Sequence, residues 1–101
     1  MSLSKHFTLD ELTASQIAAR NGFDNTPSDA VVENLKRLCE LILEPIRDIV
    51  HKPVQITSGY RSPTVNALVG SKPTSQHITG CAADIKVAGV SPDVLIKAII
   101  G

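Results

Sequence analysis

The sequence predicts an α+β fold. The first half of the chain carries helical apolar spacing and helix-capping residues. Two short segments with alternating apolar and polar residues, 54–57 and 81–87, are typical of strands. Helices come first and the two strands lie apart in the chain, which favours the α+β class. Because a two-stranded sheet is only marginally stable alone, this pattern also indicates that the complete sheet has further strands.

The first predicted helix covers residues 9 to 19. Thr8 and Glu11 have the spacing of a capping box, in which each residue satisfies a free backbone donor of the other. Asn21 and Gly22 tolerate the left-handed conformation in which many helices end. We therefore expect this helix to close at Asn21-Gly22.

A longer helix is predicted to begin near Ser28 and to end at residues 51–53. Its apolar residues recur every three or four positions, as on one helix face. They are Val31, Leu35, Leu38, Ile42, Ile46 and Ile49. Pro45 lies inside this pattern and should kink or split the helix, because it lacks a backbone donor and clashes with the preceding turn.

The segment after this helix predicts a strand, a turn and a short helix. Residues 54–57 alternate and predict the first strand. Ser62 suits an N-cap and Pro63 the first helical position, so a brief helix follows and ends by Gly70. Residues 70–80 are polar and lack a helical period, which predicts a loop.

The end of the chain predicts one more strand and one more helix. In 81–87 the alternation places apolar and polar side chains on opposite faces: Cys81, Ala83, Ile85 and Val87 on one, Ala82, Asp84 and Lys86 on the other. Ser91 and Pro92 repeat the N-cap and first-turn signal. We expect a last helix from Pro92 to the chain end.

Composition limits the class of protein. The 101 residues allow one domain, so we expect a single domain over residues 1–101. Ten basic and ten acidic residues give zero net charge, which argues against nucleic-acid binding through a broad basic face and against polybasic membrane attachment. The longest apolar run, Leu41 to Leu43, is far too short to cross a membrane, so no membrane span is predicted. Cys39 and Cys81 form no C-x-x-C pattern and are expected to be reduced, buried thiols.

Chemically capable side chains concentrate in residues 57–85. His77 on a loop and Asp84 on the next strand can converge on one cation, and zinc accepts such nitrogen and oxygen ligands. Alternatively, His77 is a solvent-exposed loop residue and Asp84 lies on the solvent-facing side of its strand. Arg61 can hold a carboxylate in a bidentate fork or lie on the surface. Ser75 can bind a ligand or stabilise its turn. Spacing alone leaves each pair of alternatives open.

Two motifs in this region carry a family resemblance. Residues 57–66, TSGYRSPTVN, and 75–85, SQHITGCAADI, closely resemble the zinc D-alanyl-D-alanine carboxypeptidase family, which includes phage and bacterial murein peptidases. The family signature S-G-[YF]-R-S, then S-x-H-x-x-G-x-A-x-D, is matched at each fixed position. The opening FTLDEL at 7–12 looks like the compact phage-type members. The resemblance implies the hedgehog/D,D-peptidase fold, with N-terminal helices packed on a small, mainly antiparallel sheet.

The resemblance also implies a role for each site residue. His77 and Asp84 match two zinc ligands, and zinc is the implied cofactor. Arg61 matches the arginine that stabilises the peptide carbonyl or the developing oxyanion, and Ser75 the serine that helps to place the substrate. The implied activity is zinc-dependent cleavage of peptidoglycan stem peptides, of the D,D-carboxypeptidase or endopeptidase type. In the family a general-base glutamate takes the proton of the zinc-bound water.

The chain departs from the family pattern after Asp84. No histidine, glutamate or tryptophan follows, so the third zinc ligand and the general base are missing from these residues. We expect a chain truncated at its C-terminus, without its last strands. The alternatives are a non-catalytic module that binds peptidoglycan peptides and a subunit completed by another chain. The N-terminus shows no secretory signal, which predicts synthesis in the cytoplasm and a separate route to the cell wall.

Overall fold

The computed structural model describes residues 2–72, 74–87 and 95–100. Helices precede a three-stranded sheet, so the predicted α+β class is confirmed. In chain order the elements are α1 (Leu9–Thr13), α2 (Gln16–Asn21), α3 (Asp29–Leu38), a π-helical segment (Cys39–Leu43), α4 (Glu44–Val50), β1 (Val54–Ser58), α5 (Pro63–Leu68), β2 (Ala82–Val87) and β3 (Leu95–Ile99). Both strand pairs are antiparallel, in the order β1-β2-β3.

The predicted helix at 9–19 is two helices, α1 and α2. The capping box of Thr8 and Glu11 begins α1 as predicted. Ala14 then takes an extended backbone, and the Ser15 hydroxyl accepts a hydrogen bond from the Ala18 N–H, which begins α2. A serine side chain that caps a helix in this way competes with continuation of the preceding one. Gly22 ends α2 in the left-handed conformation, as expected.

Pro45 divides the long predicted helix into α3, the π-helical segment and α4. The Glu44 N–H bonds to the Cys39 carbonyl five residues earlier, instead of four. This wider turn comes directly before the proline, whose ring would otherwise clash with a carbonyl of the preceding α-helical turn. The predicted interruption at Pro45 is therefore confirmed.

The π-helical turn changes which side chains face the core. Leu35 and Leu38 of α3 are buried, as the predicted stripe requires, and so is Leu43 of the π-helical segment. The extra residue in the turn rotates the helix that comes after it, so Ile49 is 77% exposed while Val50 packs against the core. The predicted stripe is confirmed as far as Ile46, since Ile42 and Ile46 also pack against the core, and it is wrong at Ile49.

The C-terminal element is a strand where a helix was predicted. Residues 95–99 form β3, and the predicted helix start at Ser91-Pro92 lies outside the described residues. Ile96 lies opposite Ile85 and Ala98 opposite Ala83, so β3 pairs with the edge of β2. Because β-branched side chains suit a pleated surface and an unpaired edge leaves backbone groups free, tertiary pairing overrides the local helix signal.

The core lies between the helices and one face of the sheet, and it is mostly aliphatic. Its fully buried large side chains include Phe7, Leu12, Leu35, Leu38, Leu43 and Ile85. Both cysteines are free thiols; Cys39 is buried, whereas Cys81 is only partly buried and packs against the core. Within the described ranges, every helix is too short or too polar to cross a membrane.

Candidate functional site

His77 lies in the turn-rich segment between α5 and β2, and its side chain is fully buried. Its Nδ1 lies 2.7 Å from the carbonyl oxygen of Gly59. Because a carbonyl can only accept, Nδ1 carries the proton and donates it. The other ring nitrogen, Nε2, then presents a lone pair. A histidine whose second nitrogen is fixed by a carbonyl is typical of metal ligands.

Asp84 of β2 faces this lone pair. Its Oδ2 lies 3.5 Å from Nε2 of His77, too far for a strong hydrogen bond. Nε2 is buried and has no hydrogen-bond partner among the described residues. Two ligands each about 2.1 Å from a tetrahedral zinc lie about 3.4 Å apart. The orphaned nitrogen and this separation therefore fit two ligands of one metal ion.

The electrostatic environment keeps the His77 ring neutral. Burial is the main cause that lowers its pKa, and the positive charges of Arg61 and Lys97 lower it further. The Gly59 carbonyl and the Asp84 carboxylate act in the opposite direction and do not cancel this shift. The neutral imidazole is the form that binds a metal.

Gly59 can direct its carbonyl at His77 because it has no side chain. A Cβ at this position would lie 2.2 Å from the carbonyl oxygen of Leu12 in α1. The same Leu12 oxygen accepts a hydrogen bond of 2.7 Å from the Tyr60 N–H. The chain at the end of β1 thus packs directly against α1. This close approach explains why the SGYRS motif has a glycine at position 59.

Arg61 and Ser75 are brought together beside His77. The Arg61 Nη2 lies 3.5 Å from the Ser75 Oγ, and the same oxygen accepts a hydrogen bond from the His77 N–H. The Arg61 N–H donates to the His77 carbonyl at 3.1 Å. The Arg61 Nε is buried and unpartnered within the described part of the chain. All four residues singled out from the sequence, Arg61, Ser75, His77 and Asp84, therefore lie in one cluster.

Asn25 supports this cluster, and the sequence analysis missed it. Its Nδ2 donates to the carbonyl of Thr13 at 2.8 Å and to that of Tyr60 at 3.1 Å. Its Oδ1 accepts from the Ser62 N–H at 2.8 Å. One amide thus holds the turn that carries Arg61 against the end of α1. No local pattern could reveal contacts that span up to 37 residues.

The glycine of the second motif has a packing role. Gly80 adopts a φ of +79°, which disfavours other residues. A Cβ there would also lie 2.9 Å from the backbone oxygen and from Cγ1 of Val31 in α3. The loop that carries His77 therefore packs closely against α3.

The described residues bring together two candidate metal ligands and not three. No group of three histidine, cysteine, aspartate or glutamate side chains suited to a metal occurs in the part of the chain that the structure describes. His6 bonds to Glu44, and His51 ends α4 in the left-handed conformation, so neither joins the pair. The remaining ligands of a metal held by His77 and Asp84 would come from other groups.

A buried, neutral imidazole that faces a carboxylate, with an arginine beside it, is an arrangement found in metal-dependent hydrolases. A family model described as Peptidase M15 matches residues 5–99, almost the entire chain. The chain therefore belongs to the peptidase M15 family. No curated protein and no solved structure matches it significantly.

Proposed function

We propose that this chain acts as a zinc peptidase on peptidoglycan stem peptides, of the D,D-carboxypeptidase or endopeptidase type. Membership of the peptidase M15 family supports a peptidase. The observation that carries the metal assignment is Nε2 of His77, which is buried, has no hydrogen-bond partner among the described residues and lies 3.5 Å from the Asp84 carboxylate. An orphaned buried nitrogen carries an unfavourable desolvation free energy that a metal bond would offset.

His77 and Asp84 are the residues that would hold zinc. The chemistry supplied by bound zinc is polarisation of the scissile carbonyl and activation of a water molecule. Gly59 contributes by holding the His77 ring in one tautomer and one orientation. No histidine or glutamate follows Asp84, so this proposal takes its third ligand and its general base from groups other than these residues.

Arg61 and Ser75 would bind the peptide. Arg61 is only half-buried, so its guanidinium can offer donors to a carbonyl or to the oxyanion that develops from it. The Ser75 hydroxyl accepts a hydrogen bond from the His77 N–H and a weak one, at 3.5 Å, from Arg61, which leaves its own proton to donate. Both donors lie next to the proposed metal position and would orient the bond to be cleaved.

Zinc affinity tests the metal assignment. We would measure it by competition with a chromophoric chelator for the parent chain and for His77→Ala and Asp84→Ala. Each change removes a ligand and should weaken zinc binding at least tenfold, because even the loss of a group that only hydrogen-bonds to a ligand can have an effect of that size. His51→Asn is the matched control, because it removes an exposed imidazole outside the pair. A parent that binds no zinc, or a His77→Ala variant that binds it equally well, contradicts the proposal.

Retention on insoluble murein tests the substrate class. The parent should bind, and Arg61→Ala should bind less because it loses the donor beside the metal pair. Arg37→Ala, an exposed position on α3, serves as the control for lost charge. Equal retention of all three proteins would count against a specific peptide site.

A further inference from the structure

Strands β1 and β2 lose their regular register at the end that lies next to the metal pair, His77 and Asp84. Ile56 lies opposite Ile85, but the next paired residue of β1, Ser58, lies opposite Asp84. Thr57 is therefore the extra residue of a β-bulge, in which two residues of β1 face one residue of β2. Bulges bend a strand and are common beside functional sites, where they redirect the chain.

The Thr57 hydroxyl joins the two strands across this bulge. Its Oγ1 donates a hydrogen bond of 3.0 Å to the carbonyl of Asp84. A bulge disrupts the ladder of backbone bonds, so this side-chain bond holds β1 to β2 where the ladder is weakest. It fixes the backbone of Asp84, whose carboxylate approaches Nε2 of His77 at 3.5 Å. Because the Thr57 side chain is exposed, its contribution comes from the hydroxyl and not from core packing.

The bulge also sets the path of the chain after β1. In a regular continuation of the register, Gly59 would lie opposite Ala82 and stay in the ladder with β2. Instead, the chain turns away from β2, and the Tyr60 N–H donates to a carbonyl of α1 at 2.7 Å. The same turn brings the Gly59 carbonyl within 2.7 Å of Nδ1 of His77. The orientation of the imidazole therefore depends on the bulge as well.

We propose that Thr57 is a positioning residue for the metal pair. Its hydroxyl fixes the bulge that directs both the Asp84 carboxylate and the Gly59 carbonyl towards His77. Thr57 acts through these two residues and is not itself a ligand or a catalytic residue. The inference rests on the proposed function and deepens it, because it assigns part of the zinc affinity to a hydroxyl outside the ligands.

Three variants test this role. Thr57→Val removes the hydroxyl and keeps the shape of the side chain, and valine suits a strand, so the variant should fold. Thr57→Ser keeps a hydroxyl at the same position. Thr13→Val is the matched control, because it removes a threonine hydroxyl that donates to a backbone carbonyl at 2.9 Å within α1. Circular dichroism and urea unfolding check that each variant is folded under the conditions of the binding measurements.

Zinc affinity is measured by competition with a chromophoric chelator. Thr57→Val should bind zinc about tenfold more weakly than the parent, which is the lower end of the effect of losing a group that supports a ligand. Thr57→Ser should restore most of the affinity, and Thr13→Val should bind zinc as the parent does. A merely structural role of Thr57 would lower stability without this selective loss. Equal zinc affinities of the parent and Thr57→Val overturn the proposal.

The tautomer of His77 gives a second measurement that needs no metal. In ring ¹⁵N spectra of the metal-free parent, Nδ1 should carry the proton, since it donates to Gly59. Thr57→Val should show a larger share of the other tautomer, whereas Thr57→Ser and Thr13→Val should match the parent. A spectrum of Thr57→Val equal to that of the parent overturns the proposal. If the parent binds no zinc, the proposed function fails and this spectrum still decides the role of Thr57, so the two failures are distinguishable.

Discussion

The carbonyl oxygen of Gly59 lies 2.7 Å from Nδ1 of His77 and determines which ring nitrogen faces Asp84. This one contact joins the two sequence motifs, which are 18 residues apart at this point. The first motif supplies the acceptor and the second supplies the imidazole. Because the tautomer depends on this acceptor, the lone pair of Nε2 depends on the backbone geometry of β1.

Gly59→Ala should destabilise the fold by about 2 kcal/mol or more, since overpacking a filled position typically costs about 1–3 kcal/mol. The new Cβ would overlap the Leu12 carbonyl, which is backbone and cannot rotate away. Urea unfolding followed by circular dichroism measures the loss. Gly22→Ala is the control: its φ is +68°, but no atom of the described residues lies within 4 Å of the Cβ that would be added, so only the conformational penalty of about 1 kcal/mol applies. A smaller loss at Gly59 than at Gly22 would contradict the close approach.

Asn25→Ala should cost about 1–3 kcal/mol, because it leaves partly buried backbone groups of Thr13, Tyr60 and Ser62 without their partner. It should also weaken murein retention, since the turn that carries Arg61 loses its support. Asn34→Ala, which removes a single side-chain bond to Thr79, is the matched control. If both variants unfold at the same urea concentration, Asn25 does not have the supporting role assigned to it.

The sequence predicted the α+β class and several local signals within it, but not every element. Local signals were sufficient where one segment decides the outcome, as with the cap at Ser62 and the left-handed end at Gly22. The motif residues were singled out through their resemblance to a family signature, because their types and spacing alone left the alternatives open. The strand at 95–99 and the contacts of Asn25 were not predicted, because both depend on distant partners that no local pattern reveals.

Leu43 and Ile49 test the rotation that the π-helical segment introduces. Leu43→Ala should cost about 2–5 kcal/mol because its side chain is fully buried, whereas Ile49→Ala should change stability by less than about 0.5 kcal/mol. A regular α-helix with the stripe that spacing alone predicts would make Ile49 the costly position. The midpoints of urea unfolding distinguish the two arrangements, and a large loss at Ile49 would contradict the exposure of its side chain.

Cys39 should resist thiol reagents in the folded protein. Burial, followed by the negative charge of Glu44, raises the pKa of its thiol to about 12. At pH 8 only about one thiol in ten thousand is then ionised, and the thiolate is the reactive form. In a Cys81→Ser variant, which leaves Cys39 as the one thiol, Ellman's reagent should react in urea and not in buffer. Rapid reaction without urea would contradict the burial of this residue.

Glu44 holds the N-terminal segment onto α4 and makes that contact sensitive to acid. Its carboxylate accepts hydrogen bonds from the Ser4 hydroxyl and from the backbone and ring of His6. Burial raises the pKa of Glu44, but these bonds together outweigh burial and hold the pKa below its ordinary value. A group with a depressed folded-state pKa contributes stability above the unfolded pKa of about 4.3, and this contribution is lost as the pH falls through the folded-state pKa.

Glu44→Gln should therefore be less stable than the parent near pH 6, and the difference should shrink as the pH is lowered from about 4.3 towards 3. Thermal unfolding of both proteins across this range measures it. Glu40→Gln is the control, because Glu40 is an exposed side chain four residues earlier in the same helical region, and its variant should track the parent throughout. A difference between the parent and Glu44→Gln that stays constant from pH 6 to pH 3 would show that ionised Glu44 does not stabilise the N-terminal segment.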